Sequence, residues 1–352
     1  MSSGHIALLL DSSYRDHGLE RDIIEEAGGK LVVGSAPVWD EEHVLGQAHL
    51  AEAEVVMVEL APVTGRVLRQ ARSCALVARY GVGVDNVDIP AATAAGIWVA
   101  NVPDYATDTV ADHAIMLLLA VARDLRGFSE RIRQDGWRGA DDPYMPPALH
   151  GRTFGIVGYG RIGRATGHRA QAMGLDVRAY DPFVPPERMT DDGVVFCPEL
   201  PTLLKGCDFL SLHCPLTELT HHLVSAEALA MTKPGVIIVN TARGDVIDLA
   251  ALHAAIEAGH VAGAGLDVFD REPLPVGHPL RTHPAVVATP RMAYLSDRSV
   301  VQLRTRVAQN AAAVLRGGPP VYPVNDPPAR VGPQPRPEPA PEQSVRPPPA
   351  PR

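Results

Sequence analysis

The chain has 352 residues, 46% of them hydrophobic and 5% aromatic, with a net charge of −9. That is length enough for two buried cores, and an acidic balance without a basic block excludes nucleic acid as the main partner. The four cysteines (Cys74, Cys197, Cys207, Cys214) form no CxxC pair, which predicts a reducing, cytoplasmic setting with neither disulfide nor metal.

Residues 5–11, 30–35, 54–60, 74–81 and 97–103 are short apolar runs separated by helix-compatible segments, the pattern of a parallel sheet covered on both faces. VADHAIMLLLAVARDLRGFSERI (110–132) predicts one long helix, too apolar for a single wet face and therefore buried between domains or against a second subunit. The longest apolar stretch, 114–122, is too short to span a membrane. Residues 326–352 are about four-tenths proline with no apolar anchor, so they predict a solvated, polyproline-like tail or a ligand for a proline-reading partner.

The most informative stretch is RTFGIVGYGRIGRATGHRAQAMGLDVRAYDPF, residues 152–183. It reads strand, glycine turn, helix, strand, with Asp181 falling 21 positions after Gly160. Gly158 permits the tight turn, Gly160 lets a pyrophosphate approach the backbone, and Gly163 lets helix and strand pack closely. The helix start offers amide donors to phosphate. A carboxylate at Asp181 would accept from a ribose 2′-hydroxyl and repel a 2′-phosphate, which favours NAD over NADP. Further apolar runs end at 208–215, 235–242, 263–269 and 285–290, and their polar ends should line a cleft.

RYGVGVDNVDIPAATAAGIWVANVPDYATDTVADHA (79–114), the glycine turn, HCPLTELTHHL (213–223), NTARGDVID (240–248) and GLDVFDREP (265–273) occur in one order. Together they resemble the D-isomer-specific 2-hydroxyacid dehydrogenases, nearest the C-terminal-binding-protein-like and phosphoglycerate-dehydrogenase-like branch. The resemblance covers roughly residues 5–325 and implies an α/β fold of two doubly wound parallel-sheet domains, usually dimeric. A Rossmann NAD-binding domain (104–287) would be inserted in a split flavodoxin-like substrate domain (1–103 and 288–325).

By position, the resemblance makes Arg243 the arginine that binds the substrate carboxylate, a role suited to a planar charged fork. Glu272 would be its catalytic carboxylate. Arg79, Tyr80, Val82, Gly83 and Tyr294 would surround a small anionic substrate. Val110, Arg161, Ile162, His213, Cys214, Pro215, Thr220, Thr241, Ala242 and Asp267 would line the NAD site. The family's acid/base histidine falls on Arg291, in ATPRMAYLS (288–296). Guanidinium does not deprotonate in proteins, so Arg291 would pair with Glu272 and stabilise an alkoxide rather than relay a proton. Arg243 and Arg291, with Arg79, would then suit a dianion. Two functions remain open: an NAD(H)-dependent oxidoreductase of small anionic 2-hydroxy or 2-oxo acids, or a non-catalytic NAD(H)-binding regulator.

Overall fold

A computed structural model describes residues 5–34, 40–134, 136–137 and 145–328. The tail beyond 328, expected to be polyproline-like, lies outside them. Twelve strands form two sheets in which every pairing is parallel. The first holds β1 (His5–Leu9), β2 (Gly29–Val33), β3 (Val55–Val58), β4 (Leu76–Arg79) and β5 (Trp98–Ala100), in the order β2-β1-β3-β4-β5. The second holds β6 (Thr153–Val157), β7 (Asp176–Tyr180), β8 (Val195–Phe196), β9 (Phe209–Leu212), β10 (Val236–Asn240), β11 (Val261–Leu266) and β12 (Val286–Ala288). Its order is β12-β11-β10-β9-β6-β7-β8. These are the flavodoxin-like and Rossmann orders, each with a crevice where the winding reverses, beside β1/β3 and β6/β9.

The central strands β3, β4, β6, β9 and β10 are buried throughout, so they read as continuous apolar runs rather than alternating ones. They are shorter than the apolar runs suggested. After Val58 and Arg79 the chain leaves the sheet toward the cleft.

The single helix expected over 110–132 is two. Thr107–Ala122 buries Leu117 and Leu118 against β10 and β11 and packs on the helix Arg161–Ala172 that follows the glycine turn. Asp124 then takes a left-handed conformation (φ 45°) and its carboxylate accepts from the Gly127 amide, starting a second helix, Leu125–Arg133. That second helix has no buried residue. The apolar excess therefore belongs to the first piece, and an Asp that caps breaks the run.

After β12 the chain returns to the first sheet. Ser296 and Ser299 cap each other at the start of helix Asp297–Leu315. Leu303, Val307, Ala311 and Leu315 recur every fourth residue and join Ala7, Leu9 and Ile24 in that sheet's core.

Candidate active site

A cleft of about 680 Å³ opens between the carboxyl ends of the two sheets. Its walls are the loops after β1, β3 and β4 on one side and after β10, β11 and β12 on the other. Among the expected site residues, Arg79, Tyr80, Val82, Gly83, Val110, Ile162, Thr241, Ala242, Arg243, Asp267, Glu272, Arg291 and Tyr294 line it. Gly158, Gly160, Arg161, Gly163, Asp181, His213, Cys214, Pro215 and Thr220 lie outside it, grouped around the glycine turn and the loop after β9.

The glycine turn has the shape a pyrophosphate needs. A Cβ on Gly163 would sit 2.0 Å from the Gly158 carbonyl oxygen, and one on Gly158 would sit 2.6 Å from the Cys214 nitrogen. Both are packing glycines. Gly160 meets nothing within 4 Å, so its face is open to a ligand. It is also the N-cap of helix Arg161–Ala172 and has no side chain to satisfy the first amides. Asp181 accepts from the amides of Tyr159 (2.8 Å) and Phe183 (2.9 Å), which fixes its carboxylate beside the turn. His213 bonds Ser211 through Nε2 at 2.8 Å, and burial lowers its pKa to about 4. Thr220 folds inward onto the Pro215 carbonyl at 2.6 Å. At the cleft end of the same path Val110, Ile162 and Ala293 form an apolar contact, and the buried Thr241 hydroxyl has no partner among the described residues. An open glycine face, an uncapped helix start and an orphaned hydroxyl together fit a dinucleotide.

The two walls of the cleft bring cations together. The loop 80–83 has two glycines because two guanidiniums lie over it. A Cβ on Gly81 would overlap Arg79 Nη1, and one on Gly83 would overlap Arg243 Nη2. Arg243 donates from Nε and Nη2 to one Asp85 oxygen, at 3.0 and 2.8 Å. Arg79 is buried, and its Nε has no partner among the described residues. Burial, then the charges of Arg243 and Arg291, bring its pKa down to about 10, so it stays a cation at neutral pH.

Arg291 sits at the tip of a turn after β12 in a left-handed conformation, φ 50°. It donates to Glu272 at 2.9 Å, and the other Glu272 oxygen accepts from the Phe269 amide. The turn is anchored by buried Asp267, which accepts from Thr289 Oγ1 (2.6 Å) and from the Met292 and Ala293 amides (both 2.9 Å). His113 bonds Thr289 behind this anchor, and His283 bonds Glu257. No histidine stands among the described residues that line the cleft.

Sequence reading missed Asp85, Glu59, Ser13 and Tyr105. Asp85 stands in the quoted RYGVGVDN run two residues after Gly83. Ser13 and Glu59 follow β1 and β3, where the rule for strand ends would have found them. Away from the cleft, one group of described residues, His221, His222 and Asp245, holds ligand atoms within 4.8 Å of one another, close enough to share an ion.

Residues 115–293 match the family model described as D-isomer specific 2-hydroxyacid dehydrogenase, NAD binding domain. The chain is 40% identical over 274 residues to a glyoxylate reductase of Korarchaeum cryptofilum, covering 77% of this chain and 82% of that one. The chain belongs to the D-isomer-specific 2-hydroxyacid dehydrogenase family. It is 42% identical over 271 residues to a D-3-phosphoglycerate dehydrogenase of Mycobacterium tuberculosis, covering 77% of this chain but about half (51%) of that enzyme. Among solved structures, the TT0316 protein from Thermus thermophilus superposes with a TM-score of 0.81 at 34% identity, covering 91% of this chain and all of that one. D-Lactate dehydrogenase from Aquifex aeolicus, complexed with NAD and lactic acid, gives 0.78 at 27% identity, covering 88% and 96%. The family's NAD-binding domain contains the glycine turn described above, and as a member of this dehydrogenase family the chain is an NAD-dependent oxidoreductase. Among the described residues no helix is long and apolar enough to cross a membrane.

Proposed function

We propose that the protein transfers hydride between NAD(H) and a small 2-hydroxy or 2-oxo acid, with preference for a substrate carrying two negative charges. The carrying observation is that Arg79 from one wall and Arg243 and Arg291 from the other face one cleft, with a single acidic partner each for Arg243 and Arg291 and an unpartnered Nε on buried Arg79. Three cations against the two carboxylates of Asp85 and Glu272 leave a net positive site, which favours a dianion such as a phosphorylated hydroxy acid, a phosphonate or a dicarboxylate.

In this reading NAD(H), held along the glycine turn, supplies or accepts the hydride. Asp181 takes the ribose hydroxyl, and Thr241, Ala242 and Asp267 border the nicotinamide. Arg243 and the loop 80–83 hold the substrate carboxylate. Arg291, aligned by Glu272 at the position where the family has its histidine, donates to the oxygen that becomes an alkoxide. A fixed donor of this kind contributes roughly 3–4 kcal/mol. The same reading divides the chain at 103/104 and 287/288, supported by the return of helix Asp297–Leu315 to the first sheet. It takes the protein as a cytoplasmic homodimer, supported by the family resemblance and by four buried free cysteines.

NADH oxidation with a panel of 2-oxo mono- and dianions tests it. Dianions should turn over with kcat/KM higher by about tenfold or more, the worth of one charge-assisted contact. Arg291→His should weaken that dianion preference. A variant that turns over simple 2-oxo acids faster while dianion binding is untouched would remove the dianion preference. The second reading, a non-catalytic NAD(H)-binding regulator, is favoured by the Arg291–Glu272 ion pair standing where a proton relay would be. Tight NADH binding without turnover on the whole panel would select it.

A further inference from the structure

Reduction of a 2-oxo acid consumes a proton, and the turn that carries Arg291 offers only the Tyr294 phenol, whose pKa burial raises. Guanidinium does not deprotonate. Glu272 is held by Arg291 and by the Phe269 amide. Asp267 is engaged by Thr289 and two backbone amides, and the Tyr80 hydroxyl is turned to Glu20.

We propose that Glu59, on the opposite wall of the cleft, is the proton donor and acceptor of the reaction. It follows β3 at the winding reversal of the first sheet, the crevice where ligands of such sheets bind. It lines the cleft with Arg79, Tyr105, Arg291 and Tyr294, and is only 8% exposed. The carboxyl is placed rather than floppy. Oε2 accepts the Ser13 amide at 2.7 Å, and the backbone that carries it is pinned by Asp11, which accepts the amides of Glu59, Leu60 and Ala61 at 2.8, 2.6 and 3.0 Å. Of these two neighbouring acids, Asp11 is satisfied by three amides and Glu59 by the amide and side chain of Ser13, and only Glu59 reaches the cleft.

The surroundings of Glu59 favour a proton on it. Burial pushes its carboxyl above the usual range, opposed by Ser13, assisted by the charge of Asp11 and opposed again by Arg79. The phenols of Tyr14, Tyr80, Tyr105 and Tyr294 are also in electrostatic contact with it, all raised by burial and neutral at physiological pH. A carboxyl moved toward neutrality is the titrating acid that Arg291 cannot be. In the reductive direction the carbonyl carbon gains the hydride, which oxidises NADH to NAD. The Glu59 O–H bond breaks and its proton forms the O–H of the hydroxy acid. The electron pair stays on the carboxylate, which solvent water reprotonates, and oxidation runs the same path in reverse.

The inference rests on the dehydrogenase reading, and its test separates the two. Glu59→Gln should lower kcat by about 10²–10⁴-fold, the usual share of general acid–base catalysis, while NADH affinity stays unchanged. It should also remove an ionisation from the kcat pH profile. Glu59→Asp should restore that ionisation at a displaced pH. In the double variant Glu59→Gln/Arg291→His, the new imidazole should return at least about tenfold of the lost rate. Independently of turnover, infrared difference spectra across a pH titration should show a protonated-carboxyl band in the wild type that Glu59→Gln lacks. Unchanged kcat and pH profile in Glu59→Gln would overturn the assignment. So would a rate loss that neither Glu59→Asp nor the added histidine relieves. If the wild type binds NADH but turns over nothing, the dehydrogenase reading fails, and the infrared band alone decides whether Glu59 holds a proton.

Discussion

Two turns flank the cofactor path, and they are built in opposite ways. The turn at 158–163 takes its shape from its own residues: glycines at its two tight places and at its open face, and a helix start that follows directly. The turn at 289–294 takes its shape from Asp267, which lies 22–26 residues earlier in the chain and fixes Thr289, Met292 and Ala293. A non-glycine residue in the left-handed region costs about 1–2 kcal/mol, and the anchor holds Arg291 there. A turn that encodes its own shape tolerates little change. A turn held from outside can exchange the side chain at its tip, and with it the chemistry, while its path stays fixed.

The largest effect should come from breaking the self-encoded turn. Gly163→Val forces a side chain against the Gly158 carbonyl, so NADH affinity should fall by more than about 100-fold or the domain should fail to fold. Gly160→Ala, facing open space, should fold normally and lose affinity alone. Fluorescence titration and thermal melts distinguish them, and a Gly163→Val protein that binds NADH like the wild type would refute the packing role. Removing the outside anchor comes next. Asp267→Ala strips a charged acceptor from the buried Ala293 amide and the part-buried Met292 amide and should cost about 3 kcal/mol, read as a lower urea midpoint with an unchanged slope.

Similar in size is a pH effect beside the glycine turn. His213 has a folded pKa of about 4 against an ordinary 6.5, so folding favours its neutral form. Its contribution is fully present above 6.5 and is lost as pH falls toward 4, at up to about 1.4 kcal/mol per pH unit. His213→Gln should flatten the stability profile between those values, and a profile with the same slope would exclude His213 as its source. The smallest effect belongs to Glu272→Gln. This partly exposed pair should change stability by less than about 1 kcal/mol. A urea midpoint shift worth more than about twice that would show that the pair, and not Asp267, supports the second turn.

Much of the molecule was legible in order of sequence. The apolar runs, the glycine turn and the strand ends needed only local pattern, because burial on both faces of a parallel sheet leaves a continuous apolar signature. Helix 110–132 misled because Asp124 in a left-handed conformation starts a second helix, and an apolar count does not register a cap. Asp85 and Glu59 were missed for another reason. Asp85 lies in the loop six residues past β4, and Glu59 directly after β3: the strand-end rule points to the second position, but no local pattern says whether solvent or a cleft receives either acid.

By itself the sequence determined the apolar runs of two parallel sheets and a dinucleotide turn, since each is written in neighbouring residues, and the family resemblance set Arg291 where a histidine is expected. Tertiary structure alone decided that Gly81 and Gly83 make room for the guanidiniums of Arg79 and Arg243, that Asp267 holds the turn of Arg291, and that Glu59 faces the same space. Those relations join positions tens to hundreds of residues apart. Their charges, and the burial that shifts them, take effect only after the two sheets close on one cleft.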